Sequence, residues 1–263
     1  MGRQSAKIDD HLQKVRNFHD RDAAKYQKER YHANTCEGLA YLTRREMILG
    51  MTEARPCRIL DVGCGPGILT KSLIDKGHTV YSADLSREMI VQAREIASHA
   101  SNGHLSHFVV SDASRIPFSG NQMDMVLSIG LMCYVQDHSG ALSEIYRVLK
   151  PGGVAVIQIN NIRWPAIYRT FVPLYHALKA LIAGKNYDGL DFQFNFASRK
   201  TFLKDLKHSK FKVLHQEYYD FRIPFVDIIL PRLSVAMGKL MFRNRHLKCC
   251  KWFAHGLLIK MVK

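Results

Sequence analysis

The chain has 263 residues, with 38 Lys and Arg against 23 Asp and Glu, for a formal net charge of +15. That length fits one α/β domain with additions, and the six cysteines have neither metal-ligand nor disulfide-framework spacing, so they read as reduced intracellular thiols. Met1 to Asp22 is polar and mixed in charge, and no apolar run reaches the roughly 18 residues of a spanning helix, so neither a secretory leader nor a membrane span is expected, and the chain is expected in the cytoplasm.

In chain order, Phe18 to Tyr26 has the polarity of a solvated amphipathic helix, and Glu37 to Met51 that of a helix packed beneath the first strand. Arg58 to Val62 follows, with Ile59, Leu60 and Val62 continuous rather than alternating, as in a strand buried on both faces. It carries Asp61 near its end. Gly63, Gly65 and Gly67 stand at alternate positions, where the backbone can turn tightly and approach a ligand that a side chain would obstruct. The helix start behind them offers free N–H groups. Strand, glycine turn and helix make the first unit of a doubly wound sheet whose crevice lies at the strand's carboxyl end. A dinucleotide loop would read G-x-G-x-x-G. Here Ile68 occupies the third position, and Asp61 would repel a pyrophosphate while suiting a ligand with a cationic amino-acid end.

His78 to Asp84 is a second strand ending in an acid about 20 residues after the loop, the spacing at which a carboxylate meets a ribose diol. Met89 and Ile90 open a helical segment. His107 to Asp112 is a third strand with a terminal acid, Met123 to Ile129 a fourth and Val154 to Ile159 a fifth. Taken singly, Asp84 reads as a helix N-terminal acid and Asp112 as a turn former. Three acids at successive strand ends behind one glycine loop are harder to explain as separate caps.

Together these residues resemble the class I S-adenosylmethionine (SAM) methyltransferases of the small-molecule or lipid type, similar to the ubiquinone/menaquinone-methyltransferase-like superfamily. The resemblance spans roughly residues 57–160. Asp61-x-Gly63-x-Gly65-x-Gly67 resembles the family's first motif, Asp112-Ala113 its adenine-contacting pair, and Arg147 to Gly153 its Arg-Val-Leu-Lys-Pro-Gly-Gly turn. Asp20-x-x-Ala23-x-x-Tyr26 resembles a segment preceding the core in many members, which implies that Tyr26 helps cover SAM. The resemblance implies SAM as methyl donor, bound by Asp61, Gly63, Cys64, Gly65, Gly67, Asp84, Leu85, Met89, Asp112, Ala113 and Ile129 besides Tyr26. It also implies an α/β fold: a doubly wound, mostly parallel, seven-stranded Rossmann-like sheet with an antiparallel last strand. The last two strands would form an antiparallel hairpin at the sheet edge, with helical cap insertions. Residues 1–55 would be a helical lid or support, 56–160 the SAM-binding core, and 161–263 the rest of the sheet with an acceptor cap.

Charge separates these parts: residues 1–55 carry +3, 56–160 carry −1 and 161–263 carry +13. In the last part, Trp164 to Ile182 and Phe221 to Phe242 mix apolar and basic residues. Between them lie an Asn186 to Phe196 connector, a basic helix from about Ser198 to His208 and a sixth strand, Phe211 to Tyr219. Ala254 to Val262 reads as the seventh strand. Apolar residues mixed with Lys and Arg at helical spacing suit an interfacial helix at an anionic membrane surface, or a cap whose basic residues are merely solvated. Positive charge alone also supports nonspecific RNA affinity, but neither an appended RNA-binding module nor an interleaved aromatic-basic motif is present. Cys249 and Cys250 read as lipidation candidates or as ordinary thiols. His99, His104 and His107 lack paired acidic or thiol ligands, so no metal site is expected.

After the fourth strand, Tyr134 and His138 are the acceptor-side catalytic candidates; alternatively Tyr134 packs and His138 begins a helix. The (Asp/Asn)-Pro-Pro-(Phe/Tyr) motif is absent there, which disfavours methylation of an adenine or glutamine nitrogen. The sequence therefore predicts methyl transfer from SAM to an O or N nucleophile of a small-molecule or lipid-like acceptor. An RNA methyltransferase and a non-catalytic SAM-fold interaction protein are the alternatives, and the oligomeric state is left open.

Overall fold

The computed structural model describes residues 2–31, 34–161, 199–222 and 226–263; Trp164 to Ile182 and the Asn186 to Phe196 connector lie outside them. Two helices precede the sheet, α1 (Gly2–Arg30) and α2 (Cys36–Met51). Thr35 caps the second, its hydroxyl accepting from the Gly38 amide at 3.0 Å. There follow β1 (Arg58–Val62), α3 (Ile68–Asp75), β2 (Thr79–Asp84), α4 (Arg87–Ser98), β3 (Ser106–Val110), β4 (Met123–Ser128), α5 (His138–Val148) and β5 (Leu149–Asn160). The remaining described elements are α6 (Arg199–His208), β6 (Lys212–Phe221), the short α7 (Val226–Ile229), α8 (Pro231–Arg243) and β7 (Ala254–Val262).

The seven strands form one sheet in the order β3-β2-β1-β4-β5-β7-β6. β1 pairs in parallel with β2 and β4, and β7 runs antiparallel between β5 and β6. Sheet class and antiparallel last strand are as the sequence predicts. β6 and β7 form the expected antiparallel pair at the sheet edge, joined by the helical stretch holding α7 and α8.

Both faces of the central strands are covered, which is why β1 reads as a continuous apolar run. Leu60 and Val62 point to one side, into a core with Leu142, Ile145, Phe202 and Leu206 of α5 and α6. Ile59 points to the other, against Met47 and Ile48 of α2 and Leu73 and Ile74 of α3. The helix expected beneath the first strand is thus α2.

Most strand boundaries shift by a residue or two from expectation, and two of the differences have an identifiable cause. β3 stops at Val110, because Asp112 belongs to a turn: its carboxylate accepts from the Ser114 amide at 3.0 Å and the Ser114 hydroxyl at 2.8 Å. β5 begins at Leu149, before the expected Val154, because Leu149 pairs with Met123 of β4 and the glycines of the turn pair with Lys263, whose amide donates to the Gly153 carbonyl at 3.0 Å.

Candidate active site

β1 lies where strand order reverses, between β2 on one side and β4 on the other, which is the place where open α/β sheets bind ligands. The loop leaving it holds Gly63, Gly65 and Gly67 at φ +73°, +53° and +80°, a left-handed conformation that side chains disfavour. The Gly63 and Cys64 amides donate to the Ala83 carbonyl at 2.7 and 3.1 Å, tying the loop to β2. A Cβ on Gly67 would lie 2.8 Å from the Cα of Ala93, so this glycine lets α3 start against α4. At Gly65 a Cβ would meet no atom within 4 Å. The loop therefore faces open space there, with room for a ligand against bare backbone. Cys64 is buried, donates its thiol to the Gly65 carbonyl at 3.4 Å and is kept protonated by burial.

Asp61 is buried and faces α3, where Oδ2 accepts from the Thr70 hydroxyl at 3.2 Å; Thr70 also meets the Ser82 hydroxyl at 2.9 Å. Burial pushes its pKa up to about 7, and the charge of Asp84 adds to this; the Thr70 hydrogen bond and the Arg44 cation pull the other way. Asp84 ends β2 with Oδ2 accepting from the Gly65 amide and Oδ1 from the Ser86 amide, both at 2.9 Å. Burial raises its pKa despite these hydrogen bonds. Leu85, half-buried, links it to Ser86, whose hydroxyl caps α4 by accepting from the buried Met89 amide at 3.1 Å.

That same hydroxyl donates to Asp20 of α1 at 2.5 Å. Further along α1, His11 Nε2 donates to the Tyr134 carbonyl at 2.9 Å, and the His19 ring packs edge-on against the Tyr134 ring at 4.7 Å. One helix is therefore fastened to both the β2–α4 and the β4–α5 loops. Burial lowers the His19 pKa to about 4, so its ring is neutral near pH 7. The Tyr134 phenol, also desolvated, is held well above its usual range.

Tyr26 belongs to a phenol cluster: its hydroxyl lies 3.4 Å from that of Tyr41, whose ring also contacts Tyr31 at 5.1 Å. Arg30, paired with Asp22 at 2.6 Å, stacks over the Tyr26 ring at 4.0 Å. Beside the cluster stands Arg44 of α2, 4.6 Å over the Tyr41 ring. Its Nη1 lies 3.7 Å from where a Cβ on Gly130 would sit, and Gln158 Oε1 of β5 is 3.8 Å from the same point. Burial works against its charge, yet Tyr219, Tyr41, Tyr26 and Tyr31 outweigh it and keep the guanidinium protonated.

The structure thus gathers Asp61, Asp84 and the three glycines at one crevice, with Leu85 and Met89 on its β2–α4 side. Asp112 and the buried Ala113 follow β3, and the half-buried Ile129 follows β4. It brings Tyr134 to the inner side of α1. His138 is placed elsewhere: buried beside α6, it donates Nε2 to the Met132 carbonyl at 2.9 Å, lies 4.0 Å from Asp205 and packs edge-on against Phe202 at 5.6 Å. Arg44, Thr70, Asp20 and Ser86 were missed from sequence. Ser86 carried a usable signal, an N-cap residue just before a helix; Arg44 carried none.

Sheet order, glycine loop and strand-end acids together make the ligand crevice of an open α/β sheet, with two carboxylates beside bare loop backbone. Residues 60–157 match the family described as Methyltransferase domain. The malonyl-acyl-carrier-protein O-methyltransferase of Enterobacter lignolyticus is 36% identical over 100 residues, 38% of this chain and 38% of that protein. The match thus spans about two fifths of the length of this curated relative. A SAM-dependent methyltransferase from Thermotoga maritima superimposes with a TM-score of 0.58 at 17% identity, covering 93% of this chain and 97% of its own. The 4+2 cyclase SpnF does so with a TM-score of 0.60 at 17% identity, covering 86% and 82%. At such identities the likeness is one of fold.

Proposed function

We propose that this chain transfers the methyl group of SAM to an O or N nucleophile of a small-molecule or lipid-like acceptor. The observation that carries the reading is the match between the charges of the crevice and those of SAM. Asp61 would take the cationic amino group, Arg44 the carboxylate and Asp84 the ribose hydroxyls, while Gly65 leaves the backbone bare where the donor lies. Leu85, Met89, Asp112, Ala113 and Ile129 would flank the nucleoside. SAM supplies an electrophilic methyl on a sulfonium.

What the chain adds is alignment and exclusion of water. α1, tied to both loops, would close over the donor, with Tyr26 and Tyr134 on its inner side. Tyr134, held neutral by burial, serves as a hydrogen-bonding and packing group rather than as a base. His138, whose ring is engaged with Met132 and Asp205, supports the β4–α5 loop from the core. The likeness to an O-methyltransferase favours an oxygen nucleophile.

Isothermal titration with SAM tests the donor half of the proposal: wild type binds and Asp84→Ala binds at least tenfold more weakly. Absence of binding by the wild type refutes it. Tritium-labelled methyl transfer into cell extract, partitioned into lipid, aqueous, RNA and protein fractions, tests the acceptor half. Label confined to RNA, or to protein side chains rather than to a carrier-bound acyl ester, overturns it.

A further inference from the structure

Helix α8 buries one side and leaves the other bare. Its inner side carries Ser234, Val235 and Gly238. Ser234 Oγ accepts from the Cys36 thiol of α2 at 3.1 Å, and Gly238 runs so close to β6 that a Cβ would lie 3.1 Å from the Phe221 carbonyl oxygen. The outer side carries Leu233 and Leu240, 50% and 62% exposed, two turns apart with Ala236 exposed between them. α7 adds Ile229, one turn ahead of Leu233 and 66% exposed, with Leu230 beside it at 53%. Exposed Arg232, Lys239 and Arg243 flank this stripe. From Ile228 to Phe253 the sequence holds six Lys and Arg and no Asp or Glu.

Single exposed leucines are ordinary, but a helical row of them is not. In a cap packed on the domain, the large apolar residues would face inward. Here Val235, Met241 and Phe242 do face inward beside Ser234 and Gly238, yet Leu233 and Leu240 are left facing out. An apolar row edged by cations, with Asp227 of α7 the one acid in the two helices, fits a helix lying in a membrane interface, and the cations select anionic headgroups. A phosphate-tracking RNA surface uses cations and stacking aromatics and has no use for bare aliphatic side chains.

We propose that α7 and α8 dock this protein on anionic lipid bilayers. Ile229, Leu233 and Leu240 enter the headgroup–acyl boundary, and Arg232, Lys239 and Arg243 lie among the lipid phosphates. The inner side of α8 rests on α2 and β6, the elements that carry Tyr41, Arg44 and Tyr219, so docking holds this side of the site close to the lipid surface. The docking does not depend on methyl transfer and is tested without it.

Flotation of the full chain with vesicles of phosphatidylcholine and phosphatidylglycerol at 3:1, against phosphatidylcholine alone, reads it out. Wild type is expected to float with the anionic vesicles in low salt. Each basic residue near such a surface is worth roughly fivefold in partitioning, so Arg232→Ser/Lys239→Ser/Arg243→Ser loses on the order of a hundredfold. Leu233→Glu/Leu240→Glu, on the solvent side, loses at least roughly tenfold. Circular dichroism checks that each variant is folded; either folded variant decides the matter. Wild type that binds anionic and neutral vesicles alike, or not at all, overturns the proposal. So does unchanged binding in a folded variant. Tighter binding to a 30-nucleotide RNA than to anionic vesicles, undiminished in the leucine variant, assigns the face to RNA instead. A concentration-dependent dimer abolished by the leucine variant, without vesicle binding, assigns it to a second copy.

Discussion

Asp61 is a carboxylate that the fold is reluctant to charge. Its pKa of about 7 in the folded chain lies above the unfolded value of about 3.9. The folded state thus holds a proton that the unfolded state has released, and stability falls as pH rises from about 4 to about 7. Asp61→Asn removes that slope. Thermal unfolding of the variant is expected to be flatter between pH 5 and 8, with a stability at pH 8 above that of wild type by on the order of a few kcal/mol. Its affinity for SAM is expected to drop by roughly tenfold to a hundredfold, because the ammonium loses a charged partner. In wild type the same logic makes SAM affinity weaken as pH falls below about 7. Titration calorimetry at pH 6 and 8 checks both sign and size; equal affinities at the two pH values would contradict the raised pKa. The glycines separate sterics from binding. Gly67→Ala meets both a left-handed φ and the wall of Ala93, and urea unfolding should show a loss of roughly 2–4 kcal/mol. Gly65→Ala meets only the backbone penalty, roughly 1–2 kcal/mol, yet fills the open space and should abolish SAM binding.

Among the elements, α4 depends on a cap that also serves as an anchor. Ser86→Ala removes the hydroxyl that accepts from Met89 and donates to Asp20, and should cost about 1 kcal/mol in chemical unfolding. Asp20→Asn leaves the cap intact and weakens only the attachment of α1. It is expected to raise the KM for SAM with little change in stability, and equal losses in both variants would show that the anchor does not hold the lid. The same elements show how far the sequence could be read. β1, β2 and their acids were legible because a doubly covered strand is uniformly apolar and its terminal Asp interrupts that run. The early start of β5 was not legible, since it depends on pairing with Met123 of β4 and with Lys263 at the far end of the chain. His138 read as an acceptor-side candidate or as the start of a helix, and it does begin α5; its place in the core is set by Phe202 and Asp205, brought in by a helix far along the chain. Arg44 had no local signal at all, because its position at the crevice arises only when α2 lies under Gly130 and Gln158.

For the whole molecule, the proposed reading takes the donor site from the fold and leaves the acceptor to the segments around it. The 4+2 cyclase neighbour shares the frame, so fold alone does not argue for methyl transfer; the charge pattern of the crevice does. Ligand occupancy should therefore register globally. S-adenosylhomocysteine at a hundredfold excess over its Kd stabilises by about 2.7 kcal/mol, which for a chain of this size raises Tm by about 5–10 °C. No shift in differential scanning fluorimetry at saturating ligand would contradict a built site. The net charge, concentrated in residues 161–263, predicts a second global property: adhesion to anionic surfaces that weakens as salt screens it.

A helix pinned to both banks of the crevice also sets a timetable. Asp20 holds one loop and His11 the other, so if α1 covers the donor as proposed, opening of these fastenings would let the donor in and its spent product out. Such opening belongs to the microsecond-to-millisecond motions that often limit turnover. Rapid mixing of enzyme, SAM and acceptor is accordingly expected to give one prompt equivalent of methylated product per active site, followed by a slower steady rate that Asp20→Asn accelerates.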